Sequence, residues 1–273
     1  MRLLAVVLTA ATCLAESPAA LNRLTPEEKK AGWKMLFDGK SLKGWIDPAL
    51  KSPPADSWTV KDGCIRARPK PKFREDLISS GTFRDFELIW EWRIAPGANS
   101  GVKYRIQDFA VVKEDTETMR GRRFEDVVED AFRKNHWTRA DLAAGKGQVY
   151  VVAFEYQMID DERNADARRG GKYSSAALYD LVAPSKPAAR QPGEWNQARV
   201  IVKGNHVEHW LNGEKVVDSP LTAPSIDEGL AHRWGAQSRV HELLTKLPKT
   251  DCPIGLQNHG DEAWFRNIKI RKL

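Results

Sequence analysis

The chain contains 273 residues, of which 41% are hydrophobic, and carries a formal net charge of +6 at pH 7. This length accommodates one large β domain or two small ones. Acidic and basic residues are interleaved without a basic run or a nucleic-acid-binding motif, so the charge balance excludes nucleic acid as an expected partner.

The N-terminus has the pattern of an export sequence. Arg2 precedes a stretch of apolar and small residues from Leu3 to Ala15. Such a stretch is typical of a secretory signal peptide and is too short to span a membrane stably. We therefore predict a signal peptide at residues 1–15, a secreted or periplasmic protein, and no transmembrane segment. A lipoprotein modified at Cys13 is less favoured, because Thr12 replaces the Gly or Ala that usually precedes the lipidated Cys.

After removal of the signal peptide, the cysteines that remain are Cys64 and Cys252. In an oxidising compartment they could form a disulfide bond. Two unpaired buried thiols are the equal alternative, because the sequence does not give their separation.

Short alternating segments dominate the chain after a polar lead-in at residues 16–31, in which Thr25 to Glu28 could form one helical turn. Tight-turn sequences between alternating segments predict β-hairpins at Asp62-Gly63, Gly204-Asn205 and Asn212-Gly213. Further strands are predicted at Phe86–Ile94, Val102–Gln107 and Phe154–Asp160, with a last strand pair at Pro253–His259 and Trp264–Leu273. Many short strands and few helices indicate an all-β sandwich or barrel.

Residues 112–147 differ from this pattern because they are highly charged. Phe124 to Leu142 has the spacing of an amphipathic helix, and a second short helix is predicted near Val240 to Leu244. About 35 residues are too few to form an independent core. We therefore predict a helical insertion at 112–147 within a single domain that spans residues 32–273.

Polar side chains recur on one face of several predicted strands. They are Glu91 and Arg93, Lys103 and Arg105, Glu155 and Gln157, and Gln257 and His259. If one curved sheet holds these strands, the side chains line one concave surface, and the insertion lies at its rim and controls access. The alternative for each residue alone is a solvated outer face. The ten tryptophans are compatible with sugar stacking and with core packing alike.

The spacing of Glu155, Gln157 and Asp160 is similar to the Glu-x-Asp-x-x-Glu strand of laminarinase-like retaining glycosidases. Those enzymes use two carboxylates about 5–5.5 Å apart. Gln replaces the middle acid here, and Asp replaces the longer Glu at the end. Motifs for metalloproteases, phosphate loops, dinucleotide binding and a serine elbow are missing from the sequence. His206 and His209 fall on opposite faces of a strand and make a poor metal pair.

Seven motifs occur in an order that resembles the 3-keto-disaccharide hydrolase domain family of secreted bacterial proteins. They are Leu36–Trp45, Asn99–Gly101, Glu155–Gln157, Ala177–Asp180, Gly193–Asn196, Asn205–Gly213 and Ile254–Ile270. The resemblance runs from about residue 32 to the C-terminus. It implies a concanavalin A-like jelly-roll β-sandwich and the cleavage of glycosides that are oxidised at C3.

The implied chemistry is removal of the acidified C2 proton, elimination of the C1 substituent, and hydration. This chemistry needs a base, an acid and a group that stabilises the enolate. The hypothesis assigns Glu155 and His259 as catalytic base and acid, in either order. Lys103 and Arg105 would stabilise the enolate, and Gln157 and Gln257 would orient hydroxyl groups. Glu91 and Asp160 complete the predicted carbohydrate-binding residues.

The sequence assigns no cofactor, and a divalent metal ion in place of one of the cations is left open. Two other functions remain open on the sequence alone. One is a non-catalytic carbohydrate-binding module, because the same fold and side chains bind sugars. The other is a conventional glycosidase that uses Glu155 and Asp160. The sequence does not give the glycoside, the linkage or the oligomeric state.

Overall fold

The structure, a computed structural model, describes residues 21–47, 53–54, 56–113, 119–134, 147–246 and 249–273. The predicted signal peptide and part of the predicted insertion lie outside these residues. Within them, no helix combines the length and the apolar character needed to cross a membrane.

Two β-sheets form the framework of the described chain. The first is an eight-stranded sheet whose strands are β1 (Lys34–Met35), β3 (Trp58–Lys61), β4 (Cys64–Ala67), β7 (Phe86–Ile94), β10 (Asn196–Lys203), β11 (His206–Leu211), β12 (Glu214–Pro220) and β14 (Ala263–Lys272). Its order is β12-β11-β10-β7-β14-β4-β3, and β1 pairs with β14. The second is a six-stranded sheet whose strands are β2 (Trp45–Ile46), β5 (Phe73–Arg74), β6 (Leu77–Ser79), β8 (Asn99–Lys113), β9 (Gly147–Ile159) and β13 (Gly255–Leu256). Its order is β2-β6-β13-β8-β9-β5.

The described residues include the α-helices α1 (Pro26–Lys30), α2 (Phe124–Lys134), α3 (Pro224–Trp234) and α4 (Arg239–Thr245). Two short 3-10 helices span Ala167–Arg169 and Gly171–Tyr173. The Thr25 side chain and Glu28 form a capping box at α1, as the lead-in sequence predicts. Helix α2 lies within the predicted insertion, and α4 confirms the short helix near Val240. Helix α3 is not predicted from the sequence, although its buried residues Ile226, Leu230 and Trp234 are spaced four residues apart on one face.

The three predicted hairpins are confirmed. The pairs Lys61–Cys64, Lys203–His206 and Leu211–Glu214 each close a two-residue turn. At Asn212-Gly213 both residues have positive φ, 51° and 88°. Such a turn matches the right-handed twist of the flanking strands and explains the Asn-Gly sequence.

The two sheets pack face to face and form the all-β sandwich that the sequence predicts. In β9, Phe154, Tyr156 and Met158 point into the main core, where the rings of Tyr156 and Trp90 lie 4.9 Å apart in edge geometry. Because side chains alternate along a strand, Glu155 and Gln157 project to the opposite face.

A neutral histidine is buried in this core. The hydroxyl of Tyr104 donates to Nε2 of His209 at 2.8 Å, and Nδ1 of His209 donates to the carbonyl oxygen of Ala176 at 2.9 Å. Burial lowers the pKa of His209 to about 4. Both ring nitrogens are therefore satisfied without a positive charge.

One sequence expectation needs correction, and of the two alternatives left open for the cysteines the structure has the unpaired thiols. The last two strands do not pair with each other, because β13 belongs to the six-stranded sheet and β14 to the eight-stranded one. The possible disulfide is not formed: Cys64 and Cys252 are both buried free thiols. Cys64 lies on β4 of the eight-stranded sheet. Cys252 forms an isolated backbone β-bridge with Phe83 and shortly precedes β13 of the six-stranded sheet.

Candidate active site

A cavity of about 650 Å³ follows β9 along the six-stranded sheet. Residues from β8 and β9 form its floor, and the segment 160–182, α2 and α3 contribute walls. The lining of β9 changes along the strand, from Val149, Tyr150 and Val151 at one end to Glu155 and Gln157 at the other. The cavity therefore has an apolar part and a polar part.

Three charged side chains meet in the polar part. Lys103 on β8 is directly opposite Glu155 on β9 in the antiparallel register. Nζ of Lys103 lies 2.7 Å from Oδ2 of Asp76 and 4.0 Å from Oε2 of Glu155. Asp76, which directly precedes β6, also accepts the backbone N–H of Asn258 at 3.1 Å. The ammonium group is thus held between two carboxyl groups.

The carboxyl group of Glu155 has a defined position. Nε2 of Gln257 donates to its Oε2 at 3.1 Å. The backbone of Gly101 passes beside it, and a Cβ at this position would lie 2.5 Å from Oε1 of Glu155. The glycine therefore leaves the space that this carboxyl group occupies.

Burial shifts the proton equilibrium of Glu155. Desolvation is the largest cause and raises its pKa from 4.5 to about 7, with the negative charge of Asp76 acting in the same direction and Lys103 opposing it. Burial would lower the pKa of Lys103, but Asp76 and Glu155 outweigh it and hold that pKa above its ordinary value. At neutral pH the cavity therefore contains a stable cation beside a carboxyl group that can gain or lose a proton.

Three amide side chains of the cavity lining each carry a buried polar atom without a hydrogen-bond partner among the described residues. The atoms are Oδ1 of Asn99, Nε2 of Gln157 and Oε1 of Gln257. A buried amide atom that stays unpaired costs free energy. The polar part of the cavity is therefore suited to a ligand that supplies several hydroxyl groups.

A second charged group lies where the segment 160–182 meets α2 and α3. Arg233 of α3 contacts Oε1 of Glu125 through Nε at 3.3 Å and Oδ2 of Asp180 through Nη1 at 3.4 Å. The hydroxyl of Tyr179 donates to Oδ2 of Asp166 at 2.7 Å. These residues line the same cavity and pair mainly with one another.

Helix α2 is attached to the neighbouring helices through its acidic side chains. Besides the contact between Glu125 and Arg233, Glu129 accepts the backbone N–H groups of Arg239 and Val240 at 2.9 and 3.1 Å. Those N–H groups belong to the first turn of α4, where helical N–H groups lack partners within the helix. Phe124 and Glu125, at the start of α2, face the cavity.

Five of the side chains predicted to share one surface do line this cavity. They are Lys103, Glu155, Gln157, Gln257 and His259. The His259 side chain is exposed at the mouth. Partial desolvation by the cavity walls, and next the positive charge of Arg74, lower its pKa below the ordinary value. At neutral pH, His259 is therefore mainly uncharged.

Glu91 and Arg93 do not belong to this surface, which corrects the predicted grouping. Their strand, β7, lies in the eight-stranded sheet. Glu91 accepts Nε of Arg266 at 2.7 Å, and the Arg93 guanidinium stacks on the rings of Trp195 and Trp264 at 4.9 and 4.5 Å. The alternation identified a polar face but not the sheet to which that face belongs.

Arg105 is also displaced from the predicted surface. The register of β8 and β9 shifts between Tyr104 and Asp108, and Arg105 has φ of 53° in this bulge. A bulge re-aims the side chains of a strand. The guanidinium donates to the carbonyl oxygens of Thr250 at 2.5 Å and Gly204 at 2.6 Å, and Arg105 lines a separate cavity of about 330 Å³.

Asp160 is buried and supports a turn. Its carboxylate accepts the backbone N–H groups of Gly97 at 2.7 Å and of Glu162 and Arg163 at 3.1 Å each. Asp160 is not among the residues that line the cavity. The paired carboxylates that a retaining glycosidase needs are therefore not assembled from Glu155 and Asp160.

Sequence reasoning missed several charged or polar residues of the cavity: Asp76, Asn99, Asp166, Tyr179 and Arg233. They lie before a strand, at the first residue of a strand, in a loop or on an unpredicted helix, so none forms part of an alternating polar face. Asn99 and Tyr179 do occur in the motifs that carry the family resemblance.

Among the described residues, the side chains close enough together to hold a metal ion are His206, Glu208 and Asp218, whose ligand atoms lie within 4.8 Å of one another. None of them lines the cavity, and the Lys215 ammonium contacts Asp218. As predicted, His206 and His209 are separated: His206 is exposed and His209 is in the core. The divalent ion in the cavity stays a prediction.

Comparison with known proteins identifies relatives whose names all refer to the cleavage of glycosides. Residues 32–271 match the family described as 3-keto-alpha-glucoside-1,2-lyase-like domains. A 3-keto-disaccharide hydrolase of Bacteroides thetaiotaomicron is 31% identical over 256 residues, which is 89% of this chain and 79% of the relative. A proposed glycosyl hydrolase of Parabacteroides distasonis has a solved structure with a TM-score of 0.67 and 25% identity, covering 93% of this chain and 100% of its own. Another from the same organism has a TM-score of 0.58 at 24% identity, over 88% of this chain and 99% of its own.

Proposed function

The chain belongs to the family of 3-keto-alpha-glucoside-1,2-lyase-like domains, and we propose that it cleaves 3-keto-glycosides by elimination followed by hydration. One observation carries the proposal. A carboxyl group with a pKa of about 7, Glu155, lies 4.0 Å from the Lys103 ammonium. In the same cavity, three amide side chains each have one polar atom without a partner among the described residues. A base beside a fixed cation is what enolate chemistry requires.

The first step is proton removal from C2 of the sugar. The ketone at C3 acidifies this proton, and ionised Glu155 takes it. The electron pair of the C2–H bond forms the C2=C3 double bond of an enolate, and negative charge develops on the C3 oxygen. Lys103, kept charged by Asp76, is positioned to stabilise that oxygen.

The second step breaks the glycosidic bond. The C3 carbonyl re-forms, the electron pair moves to form C1=C2, and the C1–O bond breaks. The leaving oxygen receives the proton held by Glu155, whose pKa near neutrality allows both forms. Water then adds across C1=C2, with its oxygen at C1 and its proton at C2, to give the free 3-keto sugar.

The remaining polar side chains fix the sugar ring. Asn99, Gln157 and Gln257 each have an unpaired amide atom for a hydroxyl group among the described residues. His259 at the mouth is the alternative base, because its lowered pKa leaves it uncharged at neutral pH. As an acid it would be weakly populated, so the proposal gives the leaving-group proton to Glu155.

The test compares a plain disaccharide with its 3-keto derivative, followed by product analysis. Turnover of the 3-keto sugar alone supports the proposal. Binding of either sugar without turnover would instead indicate a carbohydrate-binding module. Turnover of the plain disaccharide would indicate a conventional glycosidase and contradict the enolate mechanism.

A further inference from the structure

We propose that the apolar part of the cavity is a leaving-group subsite that takes a planar, apolar aglycone such as an aromatic ring. The inference rests on the proposed cleavage of 3-keto-glycosides and identifies the class of glycoside. Its position follows from the contacts among β9, α2 and α3.

Three aromatic side chains form a continuous cluster in this part. The rings of Phe124 on α2 and Tyr150 on β9 are 5.6 Å apart in edge geometry, and the rings of Tyr150 and Trp234 on α3 are 5.3 Å apart. All three residues line the cavity together with Leu181, Leu230 and Leu244. This arrangement offers aromatic and aliphatic carbon to a flat ligand.

The cluster adjoins the proposed reacting groups. Nζ of Lys103 lies 5.9 Å from the centroid of the Tyr150 ring and 4.0 Å from Oε2 of Glu155. A sugar held at Glu155 and Lys103 would therefore lie next to this cluster, within reach of a substituent on its C1 atom. The cavity volume of about 650 Å³ falls within the range of about 300–1,000 Å³ that is typical of sites for drug-sized ligands. This volume is larger than the volume that one sugar ring fills.

A second sugar is a poorer occupant because the charged groups around the cluster already pair with one another. Arg233 contacts Glu125 and Asp180, and its guanidinium stacks 5.3 Å from the Tyr179 ring centroid. Asp166 accepts Tyr179 and Arg169. The hydroxyl groups of a second sugar would lose water there without gaining equivalent partners, which disfavours binding.

The charge of this part also argues against an ionic aglycone. Arg233 is balanced by Glu125 and Asp180, and Arg169 by Asp166. No cation in these pairs is left for an anionic group. The favoured leaving group is therefore neutral as well as flat.

The experiment measures kcat/KM for the phenyl and methyl 3-keto-glucosides of one anomeric configuration. Phe124→Ala should lower the phenyl-to-methyl ratio by about tenfold, since the loss of a ring contact is worth about one such factor. Phe132→Ala is the matched control, because Phe132 is half-buried on the same helix and does not line the cavity. This control should keep the ratio of the wild type.

Two results would overturn the inference: an unchanged ratio in Phe124→Ala, or a wild-type preference for the 3-keto-disaccharide over the phenyl glucoside. If no keto-glycoside is turned over, the proposed function fails, and the subsite is then tested by calorimetry with plain phenyl and methyl glucosides. Tighter binding of the phenyl glucoside that Phe124→Ala removes would support the subsite by itself. Equal binding of both glucosides would refute it.

Discussion

Gly101 and Glu155 fit together so closely that no side chain can be added between them. A Cβ on Gly101 would lie 2.5 Å from Oε1 and 2.9 Å from Cδ of Glu155. Gly101 does not have a positive φ, so the constraint is space and not backbone conformation. The neighbouring Glu155 carboxyl group thus explains why a glycine occupies the last position of the Asn99–Gly101 motif.

The first prediction follows from this contact. Gly101→Ala should displace the Glu155 carboxyl group from Gln257 and Lys103 and lower kcat by up to about 100-fold, because a shift of about 1 Å in a catalytic group can cost that much. Steady-state kinetics and thermal unfolding measure the two effects separately. Gly81→Ala is the matched control, since its Cβ would make only an ordinary contact, 3.6 Å from Phe83. Equal activity of the two variants would contradict the spatial argument.

The second prediction concerns the role of Glu155. Glu155→Gln keeps the shape and a hydrogen-bonding group but removes the base, so turnover should fall by about 10²–10⁴-fold while the fold and sugar binding persist. Glu162→Gln, an exposed carboxylate in the loop after β9, serves as the control. If Glu155 only anchors hydroxyl groups, its substitution mainly raises KM, and His259→Ala abolishes turnover instead. A kcat close to that of the wild type would remove Glu155 from catalysis.

The third prediction is a pH dependence. Because Glu155 must be ionised to act as a base and its pKa is about 7, kcat/KM should rise with pH through about 7. Asp76→Asn removes a negative charge that raises this pKa and leaves Lys103 to interact with Glu155 alone. The ascending limb should therefore move to lower pH in Asp76→Asn. A limb that stays in place, or moves to higher pH, would show that another group controls it.

The alternating strand pattern was sufficient to predict some of the residues that line the cavity but not the others. Alternation in β9 sets Glu155 and Gln157 opposite Phe154 and Tyr156, because successive side chains of a strand point to opposite faces. The same rule applied to β7 gives a polar face for Glu91, but alternation has no information about which sheet a strand joins. Tight-turn sequences were sufficient to predict the hairpins, because the residues of Asn-Gly and Asp-Gly turns adopt positive φ without contacts from distant parts of the chain.

The missed features depend on contacts between distant parts of the chain. The Arg105 side chain does not lie on the expected face of β8, because the strand has a bulge there that no turn sequence predicts. Asp76 and Lys103 are far apart in sequence and meet only because β6, β13 and β8 are neighbours in one sheet. Arg233 reaches the cavity from α3, which is not among the elements predicted from the sequence. Such arrangements follow from topology, which one sequence does not specify.

The last prediction concerns stability in acid and the neutral His209 in the core. The pKa of His209 is about 4 in the folded protein, against 6.5 ordinarily, because burial opposes its charge. Between these two values the unfolded chain binds a proton that the folded protein does not, so His209 lowers the free energy of unfolding as pH falls. At about 1.4 kcal/mol per pH unit, this loss approaches about 3 kcal/mol.

Glu155 has the opposite effect over a similar range. Its folded pKa of about 7 exceeds the ordinary 4.5, so the folded protein gains stability as pH falls between them, and the two contributions partly cancel in the wild type. Glu155→Gln removes the opposing contribution, and denaturant unfolding of this variant should show a steeper loss between pH 7 and pH 4.5 than the wild type. The double variant with His209→Gln, which can still donate to Ala176 and accept from Tyr104, should lose that extra steepness. A steep loss that persists in the double variant would assign the acid sensitivity to groups other than His209.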